Sequence, residues 1–241
     1  MTGRIIHSLI LAASALITLS LPSFAQEGVS RISWGPSYSG SCSDCVLAGR
    51  NMAGWNISNA HYPDANLSAA NLRSVIAHSA NFDRAKAPGA DFRRADLTAA
   101  SLIETDLTAA RLNNADVSGG NLSKASLVSA RIKDTIFVGC TMTRTKLDNS
   151  YAQGADFSAA NLRGAGFSEA DLTDAIFDNA VMTKTDLTLA IVTGASFRDV
   201  RFAGADLSTI IGSDEADFEG ACATSKTKLP EGLTLKSCDA A

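Results

Sequence analysis

Two residue groups have types and spacing suited to chemistry. Cys42 and Cys45 form a CxxC pair, the spacing of redox dithiols and of half a metal site. Arg73, Arg93, Arg94, Arg111, Arg131 and Lys133 fall in a short stretch whose only nearby opposing charges in phase are Asp91 and Asp134. Cations so grouped suit an anionic surface such as lipid head groups, polysaccharide or an acidic protein. Other chemistry is poorly supplied. His61 and His78 lie 17 residues apart and lack a partnered Cys or carboxylate set. Ser and Thr are plentiful but no base is spaced to activate them, and there is no phosphate loop, zinc spacing or dinucleotide fingerprint. The reading is therefore of a protein that is not an enzyme, with no cofactor and no metal site.

The elements that must hold these residues follow from a period of five. From Leu47 to Leu207 every fifth residue is Leu, Phe, Met, Ile, Val or Tyr, except Ala77, Ala87 and Ala152. Two residues earlier stands mostly alanine (Ala65, Ala70, Ala80, Ala90), and between the two stands Asp or Asn (Asn66, Asn71, Asp91, Asp96). On a helix five residues advance by about 500°, which scatters the apolar set over the whole surface. On a straight strand that set swaps faces at each repeat. One short extended piece plus one bend per repeat keeps both apolar residues inward. Two residues after the central apolar position, Gly recurs at 49, 54, 89, 119, 139, 154, 164, 194 and 204, and Asn at 59, 114, 149 and 179. Both tolerate the positive φ that a type II turn needs at its third residue. Phe137, Phe157, Phe177 and Phe197 recur every 20 residues, so four repeats per coil stack the rings, and eight coils give a rod roughly 40 Å long.

Units such as Ala65-Asn66-Leu67-Ser68-Ala69, Ala95-Asp96-Leu97-Thr98-Ala99 and Ala155-Asp156-Phe157-Ser158-Ala159 resemble the pentapeptide-repeat family. The resemblance covers residues 45–223. It implies an all-β fold, a right-handed quadrilateral parallel β-helix of about eight coils, and it implies no single function. Some members mimic duplex DNA, bind DNA gyrase and protect it from topoisomerase inhibitors, which is the alternative function. An export signal and a basic face both disfavour it here.

The remainder of the chain reads as ends. Arg4, an apolar run from Leu9 to Leu21 and Ser23-Phe24-Ala25 form a signal-peptide pattern over residues 1–25, with a cut after Ala25. The run is too short for the roughly 20 residues of a membrane span. The expected location is periplasmic or secreted, with no transmembrane span after cleavage. Residues 26–44, holding Trp34 and Pro36, read as an N-terminal cap, and residues 224–241 as a C-terminal cap with a strand over 228–235. The register slips before it, with Phe218 eleven residues from Leu207. Cys222 and Cys238 are placed to pin the tail as a disulfide, and Cys42 and Cys45 to form a cap disulfide or to pack as thiols. Cys140, at an alanine position, reads as a buried free thiol. The net charge of −4 favours solubility and names no partner. The function expected is an exported scaffold or interaction module. Its partner is an unknown envelope protein or anionic surface, nucleic acid is disfavoured, and the C-terminal cap is a route to a homodimer.

Overall fold

The computed structural model describes residues 42–238. The expected signal peptide, Trp34, Pro36 and most of the expected N-terminal cap lie outside the described residues.

Parallel bridges link each residue of the Asp/Asn position to its counterpart 20 residues on, from Val46↔Asn66 to Ile191↔Ile211. Four repeats therefore close one coil. Each repeat supplies a three-residue wall and a two-residue corner, for example Ala95-Asp96-Leu97 and Thr98-Ala99. The cross-section is a square.

The repeat's composition follows from where its backbone N–H groups go. Ala95 N–H closes the preceding corner on Phe92 O at 3.0 Å. Asp96 N–H donates back one coil to Val75 O at 2.9 Å, while Leu97 and Ala99 N–H donate forward to Asp116 O and Ser118 O at 2.7 and 2.9 Å. That leaves Thr98 N–H. It is taken by Asp96 Oδ1 at 3.0 Å, and the Thr98 hydroxyl donates to the same oxygen at 2.6 Å. Asp156–Ser158 and Asn121–Ser123 repeat the arrangement. The recurring Asp or Asn is the acceptor for the one amide that the ladders leave over.

The inward columns hold throughout. Leu97, Leu127 and Phe177 are fully buried, as is every fifth residue from Leu47 to Leu207. Phe137, Phe157, Phe177 and Phe197 stack with centroids 5.0, 4.9 and 4.9 Å apart. Phe218 extends the stack at 5.1 Å despite the slip in numbering. Where Thr replaces the small inward alanine, its hydroxyl stays bonded: Thr105, Thr135 and Thr145 each donate to a carbonyl one coil back at 2.8 Å.

The second corner residue is left-handed in every repeat from Asp44 to Gly204, whatever its side chain, including Ala109 (φ 55°), Lys124 (φ 60°) and Leu189 (φ 58°). No β-branched residue occupies that column over this span, as expected where such side chains are least tolerated. The series stops at Thr209, which is β-branched and not left-handed. The next wall still bridges by 20 at Ile191↔Ile211; the square loses phase only between Ile211 and Asp217, and bridges step by 21 at Ser196↔Asp217 and 22 at Asp206↔Lys228.

Phe218, Leu229 and Leu235 pack against the core end. A two-residue strand β1 (Cys222–Ala223) pairs in parallel with β2 (Lys236–Ser237). The closing strand is thus at 236–237 and not over 228–235, because residues 229–235 leave the ladder to turn across the core end.

Candidate anion-binding surface

Stacking by 20 turns sequence spacing into columns on the outer wall. One column reads Asn71, Asp91, Arg111, Arg131, with Asp91 bridged to Arg111 and Arg111 to Arg131. The adjoining corners carry Arg73, Arg93-Arg94 and Asn113-Asn114. Together Arg73, Arg93, Arg94, Arg111, Asn113, Asn114 and Arg131 line a depression of about 390 Å³. Lys133 is exposed but does not line it.

Its charges are unevenly committed. Arg93 grips Asp91 through two bonds, Nε to Oδ1 at 2.8 Å and Nη2 to Oδ2 at 2.5 Å. That hydrogen bonding holds the Asp91 carboxyl below its ordinary range, against the opposing effect of burial. Among the described residues Arg73, Arg94, Arg111 and Arg131 form no ion pair. Like charges on consecutive coils, about 4.8 Å apart at the backbone, repel by up to about 1 kcal/mol in water. An anion lying between them removes that repulsion. Planar guanidinium forks with two amide side chains beside them suit carboxylate or phosphate oxygens.

The remaining chemical candidates lie outside this depression. Cys140 Sγ donates to Val117 O at 3.0 Å, and burial pushes its thiol up to about 12, far from the thiolate a nucleophile requires. The Cys42 and Cys45 sulfurs meet within the first described coil, their Cα atoms 5.6 Å apart, and Cys222 meets Cys238 with Cα atoms 4.9 Å apart. His61 is exposed, and His78 Nδ1 lies 2.7 Å from the Thr98 hydroxyl. Among the described residues no three His, Cys, Asp or Glu side chains gather as metal ligands.

A second cationic line was not singled out from sequence. Lys124, Arg144, Arg163 and Lys184, with Ser123, Thr143 and Gly164, line a depression of about 440 Å³ on a different corner. Its signal is the 20- and 40-residue spacing of Lys124, Arg144 and Lys184, broken by glycine at 164.

Eight copies of the family model for pentapeptide repeats match within residues 51–209, well over half the chain. This is a pentapeptide-repeat protein. Its fold is the right-handed quadrilateral β-helix of that family. Among solved structures, HetL, a pentapeptide-repeat protein involved in heterocyst differentiation regulation in the cyanobacterium Nostoc sp. strain PCC 7120, is 21% identical. That match covers 81% of this chain and 91% of HetL, with a TM-score of 0.25. QnrB1, a plasmid-mediated fluoroquinolone resistance protein, is 14% identical over 77% of this chain and 80% of its own, TM-score 0.35. A pentapeptide-repeat protein of the Arabidopsis thaliana thylakoid lumen is 27% identical over 44% and 63%, TM-score 0.19. No curated protein matches. The fold of this pentapeptide-repeat protein rests on the repeat match and on its own bridge ladders.

Proposed function

We propose that this pentapeptide-repeat protein is an exported, non-enzymatic rod that binds an anionic envelope partner through the arginine-lined depression. The observation that carries this reading is the convergence of Arg73, Arg94, Arg111 and Arg131, free of ion pairs among the described residues, around one concavity. The leader pattern at Arg4, Leu9 to Leu21 and Ala25 supports export. The buried, bonded state of Cys140 supports a role without covalent chemistry. The test is cosedimentation of the full exported protein with anionic vesicles and with lipopolysaccharide. Binding is expected to fall at least roughly tenfold in an Arg73→Ala/Arg111→Ala/Arg131→Ala variant; undiminished binding removes the reading. Fractionation of a tagged chain checks the export half separately, and a cytoplasmic pool alone would contradict it.

A further inference from the structure

The second cationic line carries an inference independent of the arginine depression. We propose that the corner running from Ser123 to Lys226 is a binding groove for an unbranched acidic glycan.

Three observations converge on it. The first is shape. The depression at Lys124, Arg144, Arg163 and Lys184 adjoins another of about 350 Å³ lined by Thr183, Ala203, Gly204, Thr224, Ser225 and Lys226, and Lys184 belongs to both. The result is a trough along the rod axis about 25 Å long, five coil steps at roughly 4.8 Å each.

The second is charge. Upstream, the same corner neutralises itself: Arg84 pairs with Asp64 at 2.7 Å and Lys124 with Glu104 at 2.7 Å. From Thr143 onward the corner holds Arg144, Arg163, Lys184 and Lys226, none in an ion pair among the described residues, and no carboxylate. The next wall contributes Asp186 and Asp206, but Asp206 is held by Lys228 at 2.6 Å. Gly164 and Gly204 fall one coil after Arg144 and Lys184. A β-carbon there would sit 3.6 and 3.7 Å from the Cγ atoms of those cations, so the aliphatic stems lie along the trough over the glycines.

The third is the uncharged lining, which selects among polyanions. It is made of Ser123, Thr143, Thr183, Thr224 and Ser225 hydroxyls with glycine and one alanine. Hydroxyl donors and acceptors suit a chain that is itself rich in hydroxyls. A nucleic-acid strand relies on aromatic platforms for its bases, and no aromatic residue lines this trough. A membrane surface relies on apolar insertion as well as charge, and the lining offers only Ala203.

The arginine depression and this trough occupy corners two walls apart, so they lie diagonally across the square and can be altered separately. The experiment is fluorescence anisotropy of labelled polygalacturonate oligomers with the full exported protein, beside methyl-esterified oligomers and an oligothymidine strand of matched length. Polygalacturonate is expected to bind, to weaken with salt as counterions are released, and to weaken on esterification. An Arg144→Ala/Arg163→Ala/Lys184→Ala variant should lose at least roughly tenfold in affinity and part of the salt dependence, with circular dichroism and melting temperature kept. An Arg144→Lys/Arg163→Lys variant should retain binding. The Arg73/Arg111/Arg131 variant should bind the glycan as the parent does, which separates failure here from failure of the vesicle-binding reading. Equal binding of the esterified chain, tighter binding of the oligothymidine, or undiminished binding by the triple variant each overturns the proposal.

Discussion

Ser150 sits at an inward position that most repeats give to alanine, fully buried, and its hydroxyl oxygen has no hydrogen-bond partner. Thr105 and Thr135 avoid that cost by donating to a carbonyl one coil back. An unsatisfied buried hydroxyl costs about 1–3 kcal/mol. Ser150→Ala is therefore expected to stabilise the protein by about 1 kcal/mol in chemical denaturation, and a loss of stability would show that the hydroxyl is bonded after all. The opposite extreme is Phe157, which stacks on Phe137 and Phe177 and packs edge-on to Phe167. Phe157→Asp breaks that stack and buries a carboxylate, so a loss of about 4 kcal/mol or more is expected. Ser158→Asp, one residue along on the outside, should cost about 1 kcal/mol, from the bond to Asp156 and a like charge beside it. Similar melting temperatures for the two variants would contradict the inward and outward assignment.

The five-residue unit was legible in the sequence wherever its physics leaves little choice. Leu, Phe and Ala columns had to face in, and the phenylalanines spaced by 20 fixed the coil, which the ring stack bears out. The corners were legible through Gly89 and Asn114, yet Ala109 and Leu189 take the same left-handed backbone without advertising it. The arginine depression could be read because Arg73/Arg93 and Arg111/Arg131 repeat at the coil length. The trough was harder: Gly164 interrupts the column of Lys124, Arg144 and Lys184, and that coil's cation, Arg163, stands at the other corner position. Neither column spacing nor residue type announced that Arg93 would be engaged by Asp91, nor that Lys133 would stand outside the depression. The end of the rod was least legible, since the return of β2 onto β1 depends on where residues 229–235 leave the ladder. Corner strain is testable at this scale. A non-glycine residue in the left-handed region costs roughly 1–2 kcal/mol, against roughly 0.5–1 kcal/mol of added chain entropy for glycine. Ala109→Gly and Ala159→Gly should each stabilise by about 0.5 kcal/mol, adding together because the corners are distant. Gly89→Ala should do the reverse. Denaturation midpoints of the three variants check this, and destabilisation by the glycine substitutions would count against strained corners.

Across the whole molecule, a few carboxylates are held in the ionised form by their partners, so acid should weaken the rod at those points. Asp91 is held below its ordinary range by Arg93, Asp206 by Lys228 and the Ser208 hydroxyl, and Asp217 by the Glu219 amide and Arg198. A depressed folded-state pKa contributes stability above the unfolded value, about 3.9 for Asp, and that stability is lost as pH falls through the folded value. The melting temperature is expected to hold roughly level from neutral pH to about 4 and to drop below it. A melting temperature that rose between pH 4 and 2 would mean that these carboxylates are not stabilising in the ionised form.

The bridge interval of 20 residues also governs how such a chain can lengthen or shorten. Deleting one whole circuit removes a storey and leaves every later side chain beneath its old compass point. Deleting a single unit of five keeps the lining sealed but rotates the downstream storeys by a quarter turn. The cations at Arg144, Arg163 and Lys184 would then look toward a new bearing while the arginines above them stayed put. Outward recognition in this architecture is thus set by arithmetic in the chain length as much as by the residues themselves.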